Sequence, residues 1–207
     1  MRIVIFGLGR VGMNLIKLLK PAHAEVVVVD TSREKCEHIA SEYNAVVVCG
    51  DCTDPEILED LRMNEADYVF AITGEEATNF LTSIYAKNAG ARHVIARCES
   101  TKHSIVMEKL GVESLVPETT LAQELANRVL NPTIFKMLDP EKGNLDLYEV
   151  SIPDNVKGKP VRDVFKQKDV TLLALYDGEK FTLPHGDDKI VGKKAIVVST
   201  GGRKKVW

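Results

Sequence analysis

The residues best suited to chemistry lie near the amino terminus, in a glycine-rich segment between a short apolar run and a helical apolar pattern. This segment reads Gly7-Leu8-Gly9-Arg10-Val11-Gly12. In a strand–turn–helix, the first glycine permits a tight turn, the second lets a pyrophosphate approach the backbone, and the third lets helix and strand pack closely. The free N–H groups at the helix start favour phosphate. The segment therefore predicts a mononucleotide or dinucleotide site.

An acid and a cation refine this prediction. Asp30 ends the apolar run 26–29, close to the ~20-residue offset of a ribose-binding carboxylate. A carboxylate at this position accepts hydrogen bonds from a ribose diol and disfavours a 2′-phosphate, so NADP is excluded. Arg10 carries a guanidinium suited to bidentate phosphate contact. The alternatives are a helix-capping aspartate and a solvated arginine at a helix start.

Six strand-like runs, separated by helix-length segments, predict the elements that position these residues. This alternation is typical of βαβ units, so we expect an α/β fold with a Rossmann-like parallel six-stranded sheet. The stripe of Ala77, Phe80, Leu81, Ile84 and Tyr85 predicts a helix that packs these side chains on the sheet. The predicted strands cover residues 2–6, 25–29, 45–49, 67–72, 93–97 and 114–116.

The pattern changes after Glu118. Leu121, Leu125 and Val129 predict one stripe of a long helix, which Pro132 should break or kink. The segment 139–144 is the best candidate linker. Beyond it, about four strands and one helix predict a smaller α+β domain, so we expect domains at 1–139, including the long helix, and 140–207.

Composition limits the function classes. The chain has 207 residues, 44% of them hydrophobic and 28% charged, as in soluble globular proteins. Acidic side chains outnumber basic ones in residues 1–140, which argues against a nucleic-acid surface there. No apolar run approaches the ~18–20 residues that span a bilayer, and the start lacks a signal-peptide pattern, so we expect a cytoplasmic protein without direct membrane insertion. The four cysteines are too few and scattered for a disulfide framework.

The motifs together resemble the regulatory subunits of Trk/Ktr-type potassium transporters, which combine an RCK N-terminal and an RCK C-terminal domain. The second domain is similar in Gly158–Val164 and Leu183–Asp187. In the first domain the resemblance rests on Gly7–Gly12, Val29-Asp30, Gly50–Pro55, Ala71–Thr73, Asn79, Ala96-Arg97 and Val116–Glu118.

This resemblance implies a regulatory subunit that senses NAD(H) or ATP/ADP and gates a potassium channel or transporter. It implies a homodimer, assembled as an octameric ring and bound through its partner to the inner face of the cell membrane. No catalytic residue is implied.

The resemblance also implies roles for individual residues. Arg10 would contact the terminal phosphate of ATP, and Asp51, with Cys52 beside it, would lie next to the adenine. Glu118 would help to hold a cation near a dimer interface; the alternative is an acid that a helix amino terminus favours. Further nucleotide-binding candidates are Thr73, Asn79 and Arg97.

Two other functions remain open from the residues alone. An NAD-dependent oxidoreductase commonly has such a fold, but we find no convincing acid/base constellation after the linker. The spacing of Cys49 and Cys52 also allows a sensor of the NADH/NAD ratio that uses both thiols.

Overall fold

Six short strands form one parallel sheet in the order β3-β2-β1-β4-β5-β6. The structure, a computed structural model, describes residues 1–19, 24–138 and 143–207. The strand order reverses between β1 and β4, which creates a crevice at the carboxyl edge of the sheet. This confirms the predicted Rossmann-like α/β fold. The strands are β1 (Arg2–Phe6), β2 (Glu25–Asp30), β3 (Ala45–Cys49), β4 (Tyr68–Ala71), β5 (His93–Arg97) and β6 (Glu113–Leu115).

Two of the helices between these strands begin directly after a residue whose side chain caps them. The Asp54 carboxylate accepts a hydrogen bond from the Glu56 N–H at 3.0 Å, and Pro55 is the first helical residue. The Ser100 hydroxyl caps the fifth helix in the same way. The helices are α1 (Arg10–Leu19), α2 (Arg33–Glu42), α3 (Pro55–Asp60), α4 (Glu76–Asn88), α5 (Thr101–Lys109), α6 (Pro117–Leu130) and α7 (Pro132–Leu138).

The long helical segment is interrupted at Pro132. Pro132 begins α7 directly after α6 ends at Leu130, as the sequence predicted. Among the described residues, no helix is both long and apolar enough to cross a membrane.

The prediction for the sheet-facing side of α4 holds for Ile84 and Tyr85, which pack partly buried against the core, but it was wrong for the other three side chains of the stripe. Phe80 and Leu81 are 40% and 52% exposed, and Ala77 is also exposed. The helix instead buries Asn79, Thr82, Ser83 and Ala86, which follow the same helical spacing. Small side chains permit a close approach to the sheet, and their hydroxyls donate to backbone carbonyls within the helix.

The core lies on both faces of the parallel sheet. Because side chains alternate along a strand, Val27 and Val29 of β2 pack with one cluster, and Val26 and Val28 pack with the other. The loop between β1 and α1 follows the carboxyl end of β1, and its Gly7 N–H donates to the Val29 carbonyl of β2 at 2.9 Å. The fold thereby places the predicted phosphate loop at the crevice.

An aspartate at the opposite edge ties three strands together. Asp67 accepts from the Arg2 backbone N–H at 2.8 Å and from the Arg92 guanidinium at 2.6 Å. The hydrogen bond from the Arg2 N–H is the main cause of a lowered pKa of Asp67, which lies below its ordinary value of 3.8, and the Arg92 guanidinium lowers it further.

The remaining strands form a separate antiparallel sheet in the order β7-β10-β8-β9. Its elements are β7 (Leu145–Ser151), α8 (Val161–Val164), β8 (Val170–Tyr176), β9 (Phe181–Thr182) and β10 (Lys194–Thr200). The Asp177 carboxylate accepts from the N–H groups of Glu179 and Lys180 in the tight β8–β9 turn, and Gly178 has φ +118°. This confirms a second, smaller α+β fold.

The chain forms two compact units, Met1–Gln123 and Glu124–Trp207. The expected domain boundary at 139/140, and residues 139–142 of the expected linker, lie outside the described residues.

Candidate nucleotide-binding site

The three glycines of the loop after β1 have three different environments. Gly7 has φ +104°, and a Cβ there would lie 2.8 Å from the Thr73 Cα. A Cβ on Gly12 would overlap the Gly7 carbonyl oxygen, whereas a Cβ on Gly9 would meet nothing within 4 Å. The outer glycines therefore serve the turn and the close packing. The middle glycine faces open space where a ligand can approach the backbone.

Asp30 links the end of β2 to this loop. One carboxylate oxygen accepts from the Leu8 N–H at 2.5 Å, and the other accepts from the Ser32 N–H at 2.8 Å. The side chain is 11% exposed, and the Lys35 ammonium lies 4.0 Å from it. Each carboxylate oxygen has capacity for a further donor, so Asp30 can hold the loop and accept a ligand hydroxyl at once.

A first cavity of about 480 Å³ opens beside Asp30. Its volume is that of a small-ligand site, and carboxylate, hydroxyl and ammonium side chains are among its lining residues. The lining residues are Gly7, Gly9, Val29, Asp30, Thr31, Lys35, Gly50, Asp51, Cys52, Thr73, Gly74, Glu75 and Thr78.

A second cavity of about 550 Å³ lies on the other side of the loop and shares Gly9 and Gly74 with the first. Its two guanidiniums favour an anionic group, and its one carboxylate lies in the first turn of α6. The lining residues are Gly9, Arg10, Val11, Asn14, Ile72, Gly74, Arg97, Pro117 and Glu118.

A buried amide supports the wall between β4 and β5. Asn79 is 1% exposed, and its side-chain oxygen accepts from the Thr73 N–H at 2.8 Å and from the Thr73 hydroxyl at 2.7 Å. Its amide nitrogen donates to the Arg97 carbonyl at 3.2 Å. Asn79 therefore positions Thr73 and the backbone of Arg97 from behind the cavities.

Asp51 and Cys52 form the far wall of the first cavity. One Asp51 oxygen accepts from both the N–H and the hydroxyl of Thr53 at 2.8 Å, and these bonds lower the pKa of Asp51. Burial raises the pKa of Cys52 to about 11, so this thiol is a neutral wall residue at physiological pH.

The candidate residues thus divide into three groups. Gly7, Gly9, Asp30, Asp51, Cys52 and Thr73 line the first cavity, and Arg10, Val11, Arg97 and Glu118 line the second. Leu8, Gly12 and Asn79 are buried and support the loop and the walls.

Sequence reasoning missed Lys35 and Asn14. Lys35 lines the first cavity, and Asn14 lines the second. Asn14 follows Arg10 by four residues in α1, so helical spacing was the available signal for it. Lys35 lies in the first turn of α2, and its nearness in sequence to Asp30 was the available signal.

Glu118 has few neighbours of the kind that a metal requires. Within residues 1–19, 24–138 and 143–207, three or more His, Cys, Asp or Glu side chains never cluster in a metal-binding arrangement. A cation at Glu118 would therefore need ligands other than a cluster of these side chains within the described ranges.

The sequence is similar to two archaeal proteins named as Trk system potassium uptake protein TrkA homologues. The Methanothermobacter thermautotrophicus relative is 29% identical over 189 residues, covering 90% of this chain and 88% of the relative. The Archaeoglobus fulgidus relative is 29% identical over 198 residues, covering 95% of this chain but only 45% of the relative.

The fold is similar to that of the GsuK channel. The similarity covers 97% of this chain and 37% of the channel chain, with a TM-score of 0.55 and 18% identity. Structures of GsuK bound to NAD and to ADP have TM-scores of 0.50 and 0.54, with 19% and 23% identity. The similarity to the NAD-bound structure covers 97% of this chain and 37% of the GsuK chain. The similarity to the ADP-bound structure covers 61% of this chain and 34% of the GsuK chain.

The family model of the TrkA-N domain matches residues 3–118, which include the glycine loop, Asp30, both cavities and Glu118. Because this match spans more than half of the sequence, the chain belongs to the TrkA-N domain family.

Proposed function

We propose that the protein is a regulatory subunit of a potassium uptake system, which binds an adenine nucleotide without turning it over. The observation that carries this proposal is the pair of cavities on the two sides of Gly9, with the Asp30 carboxylate in the first and the Arg10 guanidinium in the second. An adenine nucleotide presents the same order of groups, since its adenosine ribose diol is followed by phosphates.

The residues present fit such a ligand. Asp30 retains acceptor capacity for the ribose, and Gly9 leaves the backbone open at the start of α1, where phosphate is favoured. Asp51 and Cys52 would lie beside the adenine, Thr73 would line its path, and Arg10 and Arg97 would contact the phosphates. NAD(H) and ATP/ADP both satisfy this arrangement, and the GsuK structures bound to NAD and ADP support both.

The names of the relatives support the link to potassium. The proteins from M. thermautotrophicus and A. fulgidus are both named for a Trk system. In such a system, a ligand changes activity by binding two conformations with unequal affinity. We infer that the nucleotide acts on a membrane potassium channel or transporter in this way, from the inner face of the cell membrane.

The exposed stripe on α6 and α7 supports self-association. Leu121, Leu125 and Val129 are 58%, 56% and 79% exposed, and Ile134 is 50% exposed. An exposed apolar stripe along a helix, unlike single scattered side chains, marks an association site. We propose that this stripe pairs two copies, which an RCK-type ring of dimers would use. The second copy would supply the additional ligands of a cation bound at Glu118.

The self-association is tested by light scattering coupled to gel filtration. Val129→Glu should convert dimers to monomers because it places a charge in the proposed interface. Asn127→Glu, on an exposed position of the same helix, should leave the dimer intact. A wild-type monomer at all concentrations would exclude the interface.

The nucleotide function is tested by calorimetric titration with ATP, ADP, NAD and NADH. We expect saturable binding without product formation, and a selective loss of ATP affinity of about tenfold in Arg10→Ala, the usual scale of a charge-assisted contact. Arg33→Ala is the matched control because Arg33 also begins a helix but pairs with Glu37. Failure of all four nucleotides to bind would refute the proposal.

A further inference from the structure

Three of the four cysteines surround the end of β3, but only two of them share a face of the sheet. Cys36, from α2, packs with the cluster of Val26 and Val28, whereas Cys52 packs with Val27 and Val29 on the opposite face. Alternation along β3 places Cys49 on the same side as Ala45 and Val47, which pack with the cluster of Cys36. The pair that the structure assembles is therefore Cys36 and Cys49, not the sequence neighbours Cys49 and Cys52.

The two thiols meet at the backbone next to the ribose-binding position. The Cys36 thiol donates to the Asp30 carbonyl oxygen at 3.3 Å, and the Cys49 thiol lies 4.0 Å from the Thr31 carbonyl oxygen. Burial, and after it the neighbouring Cys49 thiol, raises the pKa of Cys36 to about 11. Cys49 is exposed and Cys36 is buried, so an oxidant reaches Cys49 first.

We propose that Cys36 and Cys49 are a modification site, at which a peroxide forms a reversible disulfide that weakens nucleotide binding in the first cavity. The Cys49 thiol reduces one peroxide to water and becomes a sulfenic acid. Cys36 then loses its proton and attacks the Cys49 sulfur as a thiolate, and the hydroxyl leaves with that proton as a second water. The two thiols supply both electrons, and a dithiol reductant reverses the reaction.

The coupling to nucleotide rests on the proposed function, whereas the disulfide itself does not. The Asp30 carbonyl oxygen accepts from the Cys36 thiol and from the Gly50 N–H at 3.0 Å. In the disulfide, Cys36 has no proton to donate, and its sulfur is drawn toward Cys49. Asp30 and Thr31 line the first cavity, so this change at their backbone alters the ribose-binding carboxylate.

Peptide mapping tests the disulfide. The purified full chain is treated with hydrogen peroxide, alkylated and digested with Glu-C and Asp-N. Glu37 and Glu42 separate Cys36 from Cys49, and Asp51 separates Cys49 from Cys52. We expect a Cys36–Cys49 cross-link, two hydrogens lighter than the reduced peptides, in the wild type and in Cys98→Ser but not in Cys49→Ser. A Cys49–Cys52 cross-link, or over-oxidation of Cys49 with Cys36 alkylated, would overturn the assignment.

Titration with ATP tests the coupling. Oxidised wild type should bind ATP about fivefold more weakly than reduced protein, the scale of one lost hydrogen bond, and a dithiol should restore binding. Cys36→Ser cannot form the disulfide, and its affinity should not change with peroxide. Equal affinities of cross-linked and reduced protein would overturn the coupling. If reduced protein binds no nucleotide, the proposed function fails, while the peptide map still decides the disulfide.

Discussion

Replacement of Asp30 by asparagine should reduce both the stability of the first unit and its preference for a ribose diol. In the structure, the two carboxylate oxygens accept from the N–H groups of Leu8 and Ser32. Asparagine offers one oxygen and one NH₂ group, so one N–H loses its acceptor. A hydrogen bond to a charged group contributes about 1.5–3 kcal/mol, and we expect the free energy of unfolding to fall by about 2 kcal/mol. Asp60→Asn, at an exposed position, should change it by less than about 0.5 kcal/mol.

A binding cycle separates the ribose contact from this loss of stability. The wild type should bind ATP about tenfold more tightly than 2′-deoxy-ATP, because one hydroxyl bond to a carboxylate contributes about 1.4 kcal/mol. In Asp30→Asn the two ligands should bind with nearly equal affinity. Calorimetry on both proteins measures all four corners of the cycle. A discrimination that survives in Asp30→Asn would refute the assignment of the ribose to this carboxylate.

Three further predictions concern the loop, its supporting amide and the far edge of the sheet. Gly12→Ala should lower the free energy of unfolding by more than about 2 kcal/mol because its Cβ overlaps a carbonyl oxygen. Gly9→Ala should leave stability nearly unchanged but weaken phosphate binding. Urea denaturation measures the first effect, and calorimetry measures the second. Asn79→Ala should lower the free energy of unfolding by about 2 kcal/mol because the Thr73 N–H loses its acceptor and the Arg97 carbonyl loses a donor. Asn88→Ala, at the exposed end of the same helix, should lower it little in the same denaturation assay. The pKa of Asp67 is lower in the folded protein than its ordinary value of 3.8. The stabilising contribution of Asp67 is therefore complete above pH 3.8 and is lost as the pH falls through the folded pKa. Asp67→Asn should flatten the measured pH dependence of stability in this range, and an unchanged profile would contradict the assignment.

The strands were predictable because their signals are local. Runs of β-branched residues between turn residues fixed the six parallel strands to within two residues, and the glycine spacing indicated the loop. The acid at position 30 was equally visible, since its distance from the loop follows from the length of one βαβ unit.

The sheet-facing side of α4 was not predictable from hydrophobicity. The helix buries Asn79, Thr82 and Ser83 and exposes Phe80 and Leu81. Close packing and hydrogen bonding determine this orientation, and an apolar stripe can face another surface instead. The pairing of Cys36 with Cys49 was also not predictable from the sequence. It depends on the face of the sheet on which each cysteine lies, and the spacing of the cysteines does not show this.

The central claim is that one nucleotide lies across the two cavities, with its ribose at Asp30 and its phosphates at Gly9 and Arg10. A crystal structure of the ATP complex tests this most directly. The account predicts ribose hydroxyls within about 3 Å of the Asp30 carboxylate, a normal hydrogen-bond distance, and the terminal phosphate in the second cavity beside Arg10. A nucleotide bound elsewhere, or with its phosphates turned toward Asp30, would contradict it.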